Sequence, residues 1–439
     1  MANASKHDSA FFVDAGRRMY SRARDLFPLN RSITGPAVRQ TLNYLKEFLP
    51  ELQIRSVPSG SRAFDWEVPD EWMVREAWVA DESGRKIVDF SENNLHLVGY
   101  SVPVDQWMTR EELDEHLHSL PDQPDAIPYL TSYYSRTWGF CLSENRRREM
   151  GRGKYRVVIR SEHKRGELNY GELVLPGRTD REVLLSTNIC HPSMGNNELS
   201  GPIVTSALAE WLRSAPRRYT YRIVFVPETI GSIVYLSRHL DHLKAHVDAG
   251  FNVVCIGDDR CYSFLPSRSG QTIADRVARH VLHHTDPDYK SYTWLDRGSD
   301  ERQYCAPGVD LPVASILRSK FECYPEYHTS LDNLGLISPE GLQGGYTALR
   351  RALEVLERNT RPKVTVLCEP QLGKRGLYPS MNKKGIPGSA RTMRNFLSYC
   401  DGTLDLVDIA EKIGEPAWEL ISLVDVLRDN GLIKTEDTP

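Results

Sequence analysis

The feature that most constrains this chain is a regular alternation of short apolar runs and longer amphipathic patterns between residues 181 and 360. The runs include EVLLSTNIC, YRIVFVP, GFNVVCIG and LPVASIL, and the segments between them repeat apolar residues every three or four positions. Continuous apolar strands that alternate with helices are typical of a mostly parallel sheet covered on both faces. The sequence therefore predicts an α/β fold whose mostly parallel sheet is sandwiched between helices.

Composition and charge narrow the class of protein. The 439 residues are 40% hydrophobic and 26% charged, as expected of a soluble globular protein with a full core. A net charge of −4 gives no general attraction to nucleic acid or to an anionic membrane. We find no leader pattern at the start and no membrane-spanning apolar run. Eight scattered cysteines without a CxxC pair favour reduced thiols, so we expect a cytoplasmic protein.

Changes in the pattern of apolar and polar residues along the chain predict three domains. Residues 61–154 carry alternating apolar and polar positions and indicate a small inserted β domain. Residues 1–60 together with 155–368 would form the main α/β domain. Residues 388–436 have three short helical patterns and a terminal turn, in the spacing of a winged helix.

The C-terminal region is acidic, which is relevant to whether it binds nucleic acid. Residues 401–439 contain three basic and ten acidic residues, a net charge of −7. This is the wrong sign for contact with a phosphate backbone. We therefore expect no nucleic-acid partner and interpret the winged helix as a packing or oligomerisation module, with homo-oligomer formation left open.

Polar side chains of metal-binding type follow the predicted strands. His191, Glu228 and the Asp258-Asp259 pair each come directly after an apolar run, and His328 lies in a later loop. In open α/β sheets, ligands bind beyond the carboxyl ends of the strands. Imidazole and carboxylate groups suit zinc, and a nearby unligated carboxylate can act as general base. Each signal is weak alone, but the shared placement predicts a zinc site with Glu228 beside it.

Several motifs carry a family resemblance. HPSMGNNELSG, VPETIGS, the apolar strand ending in GDD, GSDE and EYHTSLD occur in the order seen in zinc aminopeptidases of the M28 type. FDWEVPDEW, NNLHLVGYS, IPYLTSYYSRTWGFC and YPEYHTSLDNL further resemble the bacterial family of aminopeptidase-like domain proteins. That family has an inserted small β domain and a C-terminal winged helix. The resemblance covers nearly the whole chain and implies a zinc-dependent hydrolase.

The resemblance assigns metal-binding roles to particular residues. His191 and His328 match the two histidine ligands of the peptidases. Asp258 best matches the aspartate ligand, although Asp259 is adjacent and the register leaves both open.

The resemblance also implies roles in catalysis and substrate binding. Glu228 takes the general-base position, and Tyr327 matches a tyrosine that stabilises the oxyanion. Ser299 matches a segment that lines the peptidase site and is expected to contact substrate. Apart from the resemblance, Arg302 is expected either to clamp a substrate carboxylate or to form a structural salt bridge, and Tyr324 is expected to contact substrate.

The chain departs from the peptidase pattern at carboxylate positions. The metal-bridging aspartate is replaced by Asn197, a neutral group that we expect to contact substrate instead. Glu198, one residue later, is the predicted substitute ligand. Thr229 replaces a ligating glutamate, and Ser193 replaces the aspartate that orients His191. We therefore expect one zinc ion, with a second absent or weakly held.

The main functional hypothesis is a zinc-dependent hydrolase of amide bonds, an aminopeptidase-like exopeptidase or an amidase, acting on a peptide or a small amide. Two alternatives stay open. The missing carboxylates are also consistent with a catalytically decayed binding protein. The same site could instead serve a deacylase in polysaccharide or secondary-metabolite biosynthesis.

Overall fold

A computed structural model of the chain describes residues 4–377 and 390–437. The helices are α1 (Ala4–Leu26), α2 (Pro36–Phe48), α3 (Arg110–Asp114), α4 (Glu144–Glu149), α5 (Ser200–Arg213), α6 (Ile230–His246), α7 (Ile273–Thr285), α8 (Glu301–Tyr304), α9 (Pro339–Arg358), α10 (Ala390–Ser398), α11 (Leu406–Ile413) and α12 (Ala417–Asp429). The strands are β1 (Gln53–Pro58), β2 (Arg62–Ala63), β3 (Trp66–Glu67), β4 (Glu71–Asp81), β5 (Lys86–Asp89), β6 (Val104–Thr109), β7 (Leu117–His118), β8 (Phe140–Cys141), β9 (Lys154–Lys164), β10 (Glu167–Leu175), β11 (Glu182–Asn188), β12 (Thr220–Val226), β13 (Val247–Asn252), β14 (Ser263–Leu265), β15 (Lys290–Ser291), β16 (Val313–Leu317), β17 (Thr360–Val364) and β18 (Ile433–Asp437). Within these ranges, every helix is too short or too polar to span a lipid bilayer.

The main sheet has eight strands in the order β1-β10-β12-β11-β13-β16-β14-β15. Its centre is parallel, because β11 pairs in parallel with β12 and β13, and β13 pairs in parallel with β16. The flanking strands β1, β10 and β14 run antiparallel to their inner neighbours. The predicted α/β sandwich is confirmed, with antiparallel strands added on both sides of a parallel core.

Alternate residues of the central strands enter different hydrophobic clusters. Leu185, Ile223 and Phe251 join the cluster formed with α1, α2, α5, α7 and α9. Leu184 and Val224 point to the other face and join the cluster formed with α6 and the inserted domain. Because strand side chains alternate between faces, continuous apolar runs are what a sheet buried on both sides requires.

The inserted domain is built around a four-stranded sheet in the order β5-β4-β9-β6. Its third strand, β9, spans Lys154–Lys164 and pairs with both β4 and β6. The predicted boundary between residues 154 and 155 therefore needs correction, because it separates β9 from the sheet to which it belongs. The end of the insert moves to the end of β9.

The inserted domain also reaches the loop that carries His328. Pro128 and Thr329 form an isolated antiparallel bridge. The backbone N–H of Tyr129 donates to the His328 carbonyl at 2.8 Å, and the Ser330 N–H donates to Ile127 at 2.9 Å. The insert therefore forms part of the wall around this loop.

The winged helix is fastened to the main domain by strand pairing and by ion pairs. Strand β18 pairs antiparallel with β17, which leads out of α9. Arg276 on α7 contacts Asp405 at 2.8 Å and Asp408 at 2.6 Å. The predicted winged helix is confirmed as a domain type, and its predicted residues 388–389 lie outside the described ranges.

Gly201 at the start of α5 allows this helix to lie against β11 and the segment after β13. A Cβ atom there would lie 2.4 Å from both Thr187 Oγ1 and the Val253 carbonyl oxygen. We predict that Gly201→Ala lowers the free energy of unfolding by about 1–3 kcal/mol, because overpacking forces the backbone to move. Chemical denaturation measures this, with Gly151→Ala as control since a Cβ atom there meets open space. Equal stability of the two variants would contradict the prediction.

Candidate active site

The candidate site is built on the buried loop that joins β11 to α5. Every residue from 188 to 201 is buried, so the polar groups of this loop need partners inside the protein. Asp332 accepts hydrogen bonds from three successive backbone N–H groups at the start of the loop's π-helical turn, at 3.1, 2.6 and 2.9 Å. Burial nevertheless raises the pKa of Asp332 to about 6. Tyr324 donates its hydroxyl to the same carboxylate at 2.8 Å and so supports the loop, while its predicted contact with substrate stays a prediction.

Glu198 holds the imidazole of His191 in a fixed orientation. Nδ1 of His191 lies 2.6 Å from Glu198 Oε2, and the Cys190 N–H donates to Oε1 of the same carboxylate. Burial opposes protonation of His191, but Cys190 and the Glu198 carboxylate raise its pKa well above the ordinary value. Both oxygens of Glu198 are thus engaged on the side of the ring away from Nε2. Glu198 is therefore placed to orient His191, and its predicted role as a metal ligand stays a prediction.

Arg31 is a buried residue that hydrogen-bonds to the same loop. The sequence analysis did not predict this contact. The Nε of Arg31 donates to the His191 carbonyl at 3.0 Å and its Nη1 to the Leu26 carbonyl at 2.7 Å. Burial lowers the pKa of Arg31 to about 10, while the charge of Glu198 opposes this shift. A buried guanidinium that neutralises a buried carboxylate leaves no local sequence signal, because the partners are far apart in the chain.

Glu228 faces the other nitrogen of His191. Its Oε2 lies 3.6 Å from His191 Nε2. Its Oε1 accepts hydrogen bonds from Ser299 Oγ at 2.9 Å and Asn188 Nδ2 at 3.1 Å. The following residue, Thr229, has a φ of +64°, an uncommon backbone for a β-branched residue that turns the chain sharply after β12. One oxygen of Glu228 is therefore held while the other stays available.

His328 is the second imidazole of the site. Its ring centroid lies 5.4 Å from that of His191, and Tyr327 stacks on it at 3.9 Å. Tyr129 of the insert places its ring edge against both imidazoles, at 5.1 and 5.2 Å. Nε2 of His328 is buried and has no hydrogen-bond partner among the described residues. Burial and the neighbouring His191 lower the pKa of His328 to about 3, so this ring is neutral.

The two aspartates after β13 are directed elsewhere. Asp258 accepts hydrogen bonds from the backbone of Arg260 at 3.0 Å and from the N–H and hydroxyl of Ser319, both at 2.9 Å. Asp259 accepts one from Ser338 at 3.1 Å. The carboxylate of Asp258 is thus satisfied by the backbone and hydroxyl of neighbouring loops, and the geometry gives no support to its predicted role as a zinc ligand.

Cys255 lies between β13 and Asp258, where this segment contacts the loop that joins β11 to α5. Its Sγ lies 3.9 Å from Asn197 Oδ1, and its φ is +47°. Burial raises the pKa of this thiol well above its ordinary value. The sequence analysis considered Cys255 only as one of eight reduced thiols, and its position after a strand was the signal that could have marked it.

Asp300 is a buried carboxylate whose pKa is influenced by Glu228. Asp300 Oδ1 accepts hydrogen bonds from the Thr229 N–H and the Ser232 hydroxyl, both at 2.8 Å. Burial, and next the charge of Glu228, raise the pKa of Asp300 to about 8. Arg302 donates to the Thr229 hydroxyl at 2.6 Å, and its Nε has no hydrogen-bond partner among the described residues.

One group of three potential ligands is compact in the described part of the chain. The donor atoms of Cys190, His191 and Glu198 lie within 4.8 Å of one another. His191 and Glu198 already bond to each other, and the Glu228 N–H donates to Cys190 Sγ at 3.1 Å. No comparably compact group of three such donors includes His328 within the described ranges.

Comparison with solved structures defines the class of fold. A zinc aminopeptidase from Bacillus subtilis is 14% identical, with a TM-score of 0.55 over 76% of this chain and 94% of that one. An M28 peptidase precursor from Shewanella amazonensis is 12% identical, with a TM-score of 0.56 over 83% of this chain and 98% of that one. The main domain thus has the zinc aminopeptidase fold.

Sequence comparison then shows the family. The chain belongs to the family described as Domain of unknown function (DUF4910), whose profile matches residues 20–359, and a winged helix-turn-helix profile matches residues 359–435. A Clostridium acetobutylicum protein named "Putative polysaccharide biosynthesis protein with aminopeptidase-like domain" is 41% identical over 405 residues, which are 91% of this chain and 92% of the relative. A crystal structure described as a "putative peptidase" from the same organism is 38% identical, with a TM-score of 0.91 over 98% of this chain and 100% of that one. The resemblance to aminopeptidase-like domain proteins is confirmed.

The raised pKa of Asp300 predicts a dependence of stability on pH. The folded protein keeps a proton that the unfolded chain releases above about pH 4, so the free energy of unfolding falls as the pH rises toward about 8. Asp300→Asn keeps an oxygen for Thr229 and Ser232 and removes the titration. We expect a flatter stability profile for this variant between these pH values in chelator-treated protein, measured by denaturant unfolding. The exposed Asp122→Asn should retain the parent's slope, and the same slope in Asp300→Asn would contradict the assignment.

Proposed function

We propose that this protein is a zinc-dependent hydrolase that cleaves an amide bond in a peptide or small-molecule substrate. The observation that carries the proposal is the pair of imidazoles that face each other in a buried site. His191 has one nitrogen fixed by Glu198, and Nε2 of His328 is buried and unpartnered. Neutral imidazole is a common zinc ligand, and a carboxylate on its second nitrogen is the usual orienting partner.

The donor set fits one zinc ion better than two. His191 and His328 would hold the ion. The positions at which related peptidases place further carboxylates carry the neutral Asn197 and Thr229, so a second cation would face too little negative charge. In this proposal Glu198 orients His191, and Asp258 braces the neighbouring loops without binding zinc.

Glu228 is the proposed general base. When bound, zinc polarises a carbonyl group and brings the pKa of its water to near 7. Glu228 has one oxygen held by Ser299 and Asn188, while Oε2 is directed toward His191 Nε2. This free oxygen can take a proton from the attacking water and return it to the leaving amine.

Two further residues are proposed to act on substrate. Tyr327 stacks on His328, which places its side chain beside the reacting centre, and its hydroxyl is the proposed donor to the oxyanion. Arg302 has an unpartnered Nε near Glu228 and is the proposed contact for an anionic group of the substrate.

The number of zinc ions tests the metal site. We predict about one tightly bound zinc ion per chain and its loss in His328→Ala, because the remaining imidazole cannot hold the ion alone. Metal analysis after dialysis measures this, with the exposed His283→Ala as a control that should retain zinc. Two tightly bound ions per chain, or full retention in His328→Ala, would refute the proposed ligand set.

Glu228→Gln tests the chemistry separately from metal binding. The amide cannot accept the proton, so we predict retained zinc and turnover lowered about a thousandfold, within the usual range of about 10²–10⁴ for a general base. Turnover of an aminoacyl anilide or an N-acylated sugar supplies the assay, and the exposed Glu322→Gln is the control. Unchanged turnover in Glu228→Gln would remove this residue from the mechanism.

The relative named for polysaccharide biosynthesis supports a second candidate, a deacylase that acts on an N-acylated sugar. The two candidates share the same residues and differ in substrate. A higher kcat/KM for an N-acetylated saccharide than for aminoacyl anilides would favour the deacylase, and the reverse ranking would favour the aminopeptidase.

The neutral side chains of Asn197 and Thr229 support a third candidate, a binding protein without catalysis. Metal-free protein that binds a saccharide and hydrolyses neither kind of substrate would favour it. Hydrolysis that requires zinc would exclude it.

A further inference from the structure

A cleft lies where the main domain meets the winged helix. Its residues Thr179 and Arg218 precede β11 and β12, whereas His191 and Glu228 follow these strands, so the cleft and the imidazole pair lie at opposite ends of the parallel strands. The volume of the cleft is about 520 Å³, which is in the usual range for small-ligand sites of about 300–1,000 Å³. Its lining contains four arginines, three threonines and a single carboxylate, namely Arg178, Thr179, Arg218, Glu357, Arg358, Thr360, Arg428 and Thr435. We propose that this cleft binds a small ligand carrying a phosphoryl or pyrophosphoryl group.

Glu357, the carboxylate in the lining of the cleft, is hydrogen-bonded to the surrounding protein. Glu357 accepts hydrogen bonds from the Arg218 N–H at 2.5 Å, the Tyr219 N–H at 3.2 Å and the Tyr221 hydroxyl at 2.9 Å. These bonds occupy both oxygens of Glu357. Its carboxylate therefore does not compete with an anion bound in the cleft, although it lies among arginines. The charge presented by the cleft therefore comes from guanidinium groups.

The arginines are held in place to different degrees. Arg358 and Arg428 both pair with the carboxylate of Asp425, which fixes their separation, and Arg428 also lies 3.5 Å from Asp429. The backbone N–H of Arg178 donates to the Arg217 carbonyl at 3.0 Å, whereas its exposed guanidinium has no hydrogen-bond or ion-pair partner among the described residues. A free guanidinium beside a fixed pair is suited to bidentate contact with phosphate oxygens.

Hydroxyl groups complete the polar surface. Thr360 Oγ1 is buried without a hydrogen-bond partner among the described residues. Thr179 is held in place because its N–H and its hydroxyl both donate to the Arg218 carbonyl at 3.0 Å. A buried donor without a partner carries a free-energy cost that a phosphate oxygen in the cleft would relieve.

The ligand would bridge two domains. Arg178 and Thr179 follow β10 of the main sheet, whereas Arg428 lies on α12 and Thr435 on β18 of the winged helix. The acidic surface of the winged helix, with a net charge of −7 over residues 401–439, disfavours DNA as the source of the phosphate. We therefore assign the cleft to a small molecule whose binding ties the winged helix to the main domain.

Titration calorimetry and thermal unfolding with inorganic pyrophosphate test this proposal on the full chain at matched ionic strength. We expect a dissociation constant below about 1 mM and a higher midpoint of unfolding in the presence of the ligand. Arg178→Gln should weaken binding about tenfold or more by removing a charge-assisted contact, and its fold should be unaffected because the parent side chain is exposed and unpartnered. The absence of binding by the parent at about 10 mM would overturn the proposal.

Arg361→Gln is the matched control, since Arg361 is exposed on the same strand as Thr360 and lies outside the lining of the cleft. It should bind pyrophosphate as the parent does. Equal weakening in Arg361→Gln and Arg178→Gln would indicate a general charge effect and overturn the site. Tight retention of duplex DNA that is lost in Arg178→Gln would also overturn the assignment to a small ligand.

Discussion

The burial of the loop between β11 and α5 is the constraint on which the site depends. Every residue from 188 to 201 is buried, although the segment is rich in polar side chains. Burial of such a loop is tolerated when most of its donors and acceptors find partners inside the protein. Asp332 satisfies the backbone at the start of the π-helical turn, Glu198 satisfies the ring of His191, and Arg31 balances the charge from beneath. The same bonds that make burial tolerable also fix the direction of the His191 imidazole.

The two imidazoles have opposite environments, and this difference gives the zinc proposal its physical basis. His191 lies between two carboxylates and its pKa is raised, whereas His328 has an unpartnered nitrogen and a pKa of about 3. A cation shared by the two rings would replace the proton on His191 and supply the partner that His328 lacks. Because the proton must leave first, zinc affinity should increase with pH. Glu228 would remain beside the ion with one oxygen held and one free.

The sequence predicted the architecture better than the details of the site. Apolar runs that alternate with amphipathic helices were sufficient for the sandwich, because burial on both faces leaves a pattern in every strand. Strand ends also located His191 and Glu228, whereas His328 lies in a loop eleven residues after β16. The hydrogen bonds that occupy the oxygens of Glu198 and Asp258 were not predictable, since they depend on contacts within and between loops. The contact of Tyr129 with both imidazoles likewise required the docked inserted domain.

Anomalous diffraction from crystals grown with zinc, recorded on both sides of the zinc absorption edge, tests the central claim most directly. The account predicts one strong anomalous peak within about 2.0–2.1 Å of Nε2 of both His191 and His328. A crystal without a peak between these two rings, or with two fully occupied peaks there, would contradict it.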